Sequence, residues 1–277
     1  MQARYILANS AHSLNLCGVH AMETSTEIKT YFGNVQKLYN VFVCSPARRK
    51  VLQEYAGVSL HNISATRWSA HIDAVRALTR NYKGILSALN QMYNELDLPA
   101  EVQADVSGLT EWLQSFEFVL LSTIWIKILC IGDRNKMLQN SKTSLEEVAH
   151  HLKSLLAEIE LLKDPWERLI DEAKIVAEGF GVRTDIRKSR NGRDKNFHDE
   201  AIDNEHTFDS VNERFKVEVL IPAMDKLLLD LQNLYENIQK LCNFVIPVIS
   251  PPTNAGREDI ACFAEELGLI ASLSHYQ

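Results

Sequence analysis

Four groups of residues have the types and spacing to do chemistry. His12, Cys17 and His20 fall close together, and Cys17-Gly18-Val19-His20 offers two metal ligands at a workable local spacing. A structural zinc takes four ligands, and no second close pair accompanies this one. The alternative is an apolar cysteine beside a histidine on a helix face. Glu146, Glu147, His150 and His151 form a second group. Glu146 and His150 stand one helical turn apart, yet the H-E-x-x-H order of a zinc protease is absent. An i,i+4 pair on a solvated helix face accounts for them. Third, Arg183, Arg187, Lys188, Arg190, Arg193 and Lys195 crowd thirteen residues. Such a run can contact phosphates. Asp185 and Asp194 dilute it, and a solvated loop or a nuclear-targeting segment fits the same residues. Fourth, Arg67-Trp68 stands between a polar stretch and a helix start. The tryptophan reads either as a core anchor or as a stacking platform for a base with an arginine beside it. Residue logic alone favours the anchor.

Other chemistries find no support. The eleven glycines are scattered, and neither G-x-G-x-x-G nor G-x-x-x-x-G-K occurs. No G-x-S-x-G elbow is present. No cofactor is implied by any of these patterns.

The elements that must position these residues are mostly helical. Apolar residues recur at helical spacing over 25–43, through Ile28, Phe32, Val35, Leu38 and Phe42. Ser45-Pro46 opens a further helix that stops at Gly57. One helix is predicted over Ala70–Leu89 and one over Leu109–Ile131. Ser144 and Glu147 have the capping-box spacing ahead of an amphipathic stripe that ends at Pro165. Trp166 to Gly179 makes another helix with a glycine stop. The basic segment then reads as a long loop, and Phe208–Val248 returns to helix with a kink or split at Pro222. Tyr5–Leu7 reads as the end of a strand. Ile260–Leu273 is compatible with a last short helix.

The chain has 277 residues and a formal net charge of −7. Its length allows one or two domains. Mild acidity opposes a wholesale nucleic-acid coat, while a local basic patch stays compatible with it. Five widely spaced cysteines do not form a secreted disulfide framework, so a reducing compartment, cytosol or nucleus, is expected. No signal peptide is evident. The most apolar stretch, Phe116–Ile131, contains Glu117 and Lys127 and falls short of the about 20 residues a bilayer span needs. No membrane partner is expected.

Three segments together resemble one family. Ala11-His12-Ser13-Leu14-Asn15-Leu16 resembles a "C-x-x-H-x-L-N-L" segment. Tyr31-Phe32-Gly33-Asn34-Val35-Gln36-Lys37-Leu38-Tyr39, leading to Ser45-Pro46-Ala47-Arg48, resembles the helix that follows it. Thr66-Arg67-Trp68-Ser69-Ala70-His71 resembles "T-R-W-S-A-R". The family they resemble is the hAT superfamily of transposases, in the branch similar to the MYM-type zinc-finger protein group. The likeness runs from about His12 to about Leu241, through Phe215–Val219, Pro222 and Asp225.

The resemblance implies an RNase H-like fold interrupted by a large helical insertion domain. The expected fold class is therefore mainly α, with a short α/β remnant at the N-terminus. Residues 1–24 would be that remnant and 25–182 the insertion domain. A basic flexible loop over 183–207, a returning helical segment over 208–250 and a tail over 251–277 would follow. The family cuts and joins DNA strands with three carboxylates and metal ions. Its first two acids belong upstream of the "C-x-x-H" segment. Its third lies in an "A-E-R-x-F-S"-like segment, which Ala264-Glu265-Glu266 does not match. The family's cysteine position is Asn9 here. No catalytic residue is therefore assigned.

The expected function is that of a transposase-derived, catalytically incomplete nuclear protein with residual DNA-binding or protein-interaction capacity. The residues expected to meet DNA are Trp68, by stacking, Arg67 beside it, and Arg187, Lys188, Arg190 and Arg193 in the basic segment. Two alternatives remain: a helical interaction module or homo-oligomer without nucleic-acid binding, and a fragment of an active transposase. His12 matches the family histidine, for which a packing role at the edge of the active site is expected.

Overall fold

Ser25 and Ser144 each start a helix by giving their hydroxyl to a backbone donor. Ser25 Oγ accepts from Ile28 N at 3.2 Å, opening α2 (Thr26–Val43). Ser144 Oγ accepts from Glu147 N at 3.2 Å, and Glu147 returns a carboxylate to Ser144 N at 2.8 Å, completing the capping box of α8 (Leu145–Glu160). Pro46 sits in the first turn of α3 (Pro46–Ala56), which Gly57 ends in the left-handed region at φ 64°. The computed structural model describes residues 2–63, 68–95, 97–134, 144–163, 166–184 and 211–249.

The N-terminal segment departs from expectation. Tyr5–Leu7 lies inside α1 (Gln2–Met22), a continuous helix, and no strand occurs among the described residues. The α/β remnant is therefore not seen, while the mainly α class is. The reason is local: a short apolar run can satisfy its backbone within a helix, whereas a strand needs a neighbour to pair with.

Two stretches read as single helices are each divided. Trp68–Arg80 (α4) and Tyr82–Glu95 (α5) meet at Asn81, whose side-chain amide donates to Ala77 O at 2.8 Å. Ala100–Leu113 (α6) and Phe116–Arg134 (α7) meet at an angle of 71°. There Ser115 Oγ donates to Trp112 O at 2.7 Å and accepts from Phe118 N at 3.2 Å, closing one helix and opening the next. The glycine that ends α9 (Trp166–Phe180) is Gly181, at φ 74°, rather than Gly179. Val182 N reaches back to Ala177 O at 2.8 Å. A short α10 (Val211–Phe215) runs through a π-helical turn (Lys216–Leu220) into α11 (Ile221–Ile249), with Pro222 in the first turn of α11. The proline ring has no N–H to give to the preceding turn, which widens instead.

α7 forms the centre. Phe116, Phe118, Val119, Leu120, Leu121, Trp125 and Leu129 are all fully or almost fully buried. α2, α4, α6, α8 and α9 pack around it. α11 lies along α1 and α8, and α3 lies against α5. One contiguous apolar core holds residues from α1 to α11, including Leu14, Ile28, Ile72, Ile124, Leu155 and Leu227. Among the described residues no single helix is long and apolar enough to cross a membrane.

Candidate functional site

Trp68 is the first residue of α4, and it is buried, with 4% of its surface exposed. Its indole N–H donates to the carbonyl of Leu129 on α7 at 3.0 Å. Its backbone N–H, one of the donors a helix start leaves unpaired, donates to Asn15 Oδ1 on α1 at 3.0 Å. The ring lies between two glycines. A Cβ on Gly18 would stand 2.2 Å from Cε3, and one on Gly132 would stand 2.2 Å from Cε2. Only the missing side chains of Gly18 and Gly132 let α1 and α7 close on the indole.

This settles which of the two sequence readings of Trp68 holds in the fold: it is a core anchor. Stacking on a base needs an exposed aromatic face, and a ring enclosed by α1 and α7 offers none. Arg67, Arg187, Lys188, Arg190 and Arg193 lie outside the described residues.

The described parts of the three segments, 12–16, 31–39 and 68–75, meet in space. Asn15 holds the start of α4. The Phe32 ring meets the edge of His71 at 5.3 Å, joining the second segment to the third. Gln36 Oε1 accepts from Ile63 N at 3.0 Å, fixing the chain just before the "T-R-W" stretch. Tyr31 bonds to Ser122 of α7 at 2.9 Å inside the core, and burial pushes its hydroxyl pKa well above the usual range. What the three segments build is a buried junction of helices.

The metal-like groups do not converge. His12 is exposed, and Cys17 is buried. Burial, with the charge of Asp230 second, pushes the Cys17 thiol up to about 12, which leaves it protonated and a poor ligand or nucleophile. His20 Nδ1 instead meets Asp230 Oδ2 at 2.9 Å, and Lys226 meets the other carboxylate oxygen at 2.9 Å, tying α1 to α11. Among the described residues no group of three or more His, Cys, Asp or Glu is placed to hold a metal ion.

Sequence reasoning missed Asn15, Gly18 and Gly132 as parts of this junction. The signal available was a glycine inside an apolar helical run, which marks close approach of another element. It also missed a cleft between α3, the α4–α5 junction and α9, whose walls are far apart in sequence.

In comparison with known proteins, no family model, no curated protein and no solved structure matches the chain.

Proposed function

We propose that this chain is a transposase-derived helical insertion domain of the hAT type that serves as a nuclear protein-interaction scaffold and performs no strand transfer of its own. The observation that carries this reading is the meeting of the three resembling segments around Trp68, through Asn15, Phe32, His71 and Gln36. Segments kept together by descent are expected to be in contact when their role is to build a fold. The enclosure of Trp68 favours a scaffold over a DNA-end site, because the stacking residue that such a site requires is spent on the core. Of the residues expected from the sequence to meet DNA, Arg67, Arg187, Lys188, Arg190 and Arg193 keep that proposed role.

Fluorescence anisotropy with hairpin-ended DNA, at low and physiological salt, tests this reading. The wild-type chain is compared with Trp68→Phe and with a variant carrying alanine at 187, 188, 190 and 193. The expected result is weak binding at most, lost at physiological salt and in the alanine variant, and unchanged by Trp68→Phe. Tight binding at physiological salt that Trp68→Phe selectively weakens, in a variant that stays folded, would overturn it.

A further inference from the structure

A cleft of about 570 Å³ opens between the end of α3, the α4–α5 junction and the end of α9. Pockets for small ligands span about 300–1,000 Å³. Two cations, Arg80 and Lys83, line it, and no carboxylate does, in a chain whose acids outnumber its Lys and Arg by 36 to 29. Both are exposed, and neither side chain makes a hydrogen bond or ion pair among the described residues. The neighbouring polar side chains are already committed. Thr79 Oγ1 donates to Val75 O at 3.0 Å, and the Asn81 amide donates to Ala77 O at 2.8 Å. The charged side-chain donors that the cleft leaves free are its two cations. Its other walls are flat and apolar. Tyr55 of α3 is 40% exposed, and Phe180 of α9, stacked on Tyr82 at 4.0 Å, is half-buried. Gly84 lets α5 close on α3, since a Cβ there would stand 2.7 Å from Ala56 Cα. Gly179 leaves the α9 wall open, with nothing within 4 Å of its Cβ position.

We infer that this cleft binds the phosphate of a nucleotide between Arg80 and Lys83, with the base against the aromatic wall of Tyr55 and Phe180. A phosphate supplies the anion that two unpaired cations lack, and Arg and Lys both serve as phosphate donors. A flat ring covers apolar surface that is otherwise wet. The same chemistry is offered by a free mononucleotide and by the phosphorylated end of a nucleic-acid strand.

Calorimetric titration of the full chain with AMP, adenosine, inorganic phosphate and an oligothymidine with and without a 5′-phosphate tests this. AMP is expected to bind more tightly than either adenosine or phosphate. Alanine at both 80 and 83 is expected to weaken it at least about tenfold, the loss of charge-assisted bonds. Gly179→Phe, which fills the cleft from an open helix position, is expected to abolish binding without lowering the melting temperature. A 5′-phosphorylated strand that binds more tightly than AMP, and equally depends on Arg80 and Lys83, would assign the same site to a strand end. Absence of binding at about 10 mM AMP, beyond the millimolar end of the affinity scale, would overturn the inference. So would equal affinity for adenosine, or full binding in the double-alanine or Gly179→Phe variants.

Discussion

The indole N–H of Trp68 donates to the backbone carbonyl of Leu129 at 3.0 Å, so the start of α4 hangs from the C-terminal half of α7. Because the ring is also enclosed by Gly18 and Gly132, its removal leaves a cavity where three helices meet. Trp68→Ala is expected to cost about 3–5 kcal/mol, the usual range for a large buried ring. Trp68→Phe keeps much of the apolar contact and loses the donor, so about 1–3 kcal/mol is expected. Denaturant unfolding followed by far-ultraviolet circular dichroism measures both. A Trp68→Ala protein as stable as the wild type would show that the junction is not held by this ring.

Asn15 acts as a cap from outside the helix it serves. Its carbonyl oxygen takes the backbone N–H of Trp68 at 3.0 Å, in the part normally played by a side chain just ahead of the first turn. Asn15→Ala is expected to destabilise the fold by about 1 kcal/mol, the typical value of a lost cap. Asn15→Asp keeps an acceptor and places a negative charge at a helix start, so it is expected to restore most of that loss. A stability difference between the two variants, read from chemical unfolding, separates the hydrogen bond from simple packing.

Much of the fold was legible because short-range signals dominate it. Ser144 with Glu147, Pro46 with Gly57, and Pro222 all act where the sequence places them. The errors arose where a local signal had two solutions. Asn81 and Ser115 are polar residues in apolar helical runs, and each breaks its run through a side-chain bond to a carbonyl three or four residues back. Tyr5–Leu7 is apolar enough for strand or helix, and periodicity cannot decide over so short a run. The site was less legible than the fold. Burial of Trp68 depends on Gly18 and Gly132, about fifty and sixty residues away along the chain, and no local pattern announces that they meet it.

The glycines divide by what surrounds them, and substitution should divide with opposite signs. Gly18→Ala and Gly132→Ala drive a methyl into the Trp68 ring, and each is expected to cost about 1–3 kcal/mol as overpacking. Gly33 lies in α2 with nothing within 4 Å of its Cβ position. Gly33→Ala is therefore expected to stabilise the chain by about 0.5–1 kcal/mol, the helix preference of alanine over glycine. Melting temperatures of the three variants provide the comparison. A fall in stability for Gly33→Ala would mean that α2 has a close neighbour at that point.

The described cysteines should differ sharply in reactivity. Cys44 is exposed, whereas Cys17 is buried and its thiol is pushed up to about 12 by burial first and by Asp230 second. Burial also raises Cys242, with Glu146 adding to it. Alkylation with iodoacetamide at about pH 8, near the usual thiol pKa, should mark Cys44 quickly and leave Cys17 unmodified until the chain is unfolded. Peptide mass spectrometry resolves the sites. Rapid modification of Cys17 in the native protein would show that α1 separates readily from α11.

Glu117 gives a pH dependence whose sign is fixed by its surroundings. It lies in the first turn of α7, and burial, with the charge of Glu27 second, raises its carboxyl above the ordinary value of 4.5. A carboxyl raised on folding favours the folded state most when it is protonated in both states, below its unfolded pKa. That advantage is lost as pH rises through the folded value, so at neutral pH the ionised group is a liability to the fold. Glu117→Gln removes the charge and keeps the shape. It is expected to raise stability at about pH 7, where the wild-type carboxyl is ionised. The loss of a negative charge at the start of α7 opposes part of this gain. Below about pH 4, near the unfolded pKa, the wild type is itself protonated, and the two proteins should melt together. Thermal unfolding at both pH values tests the sign: a Glu117→Gln protein less stable than the wild type at neutral pH would mean that attraction to the helix start outweighs burial and Glu27.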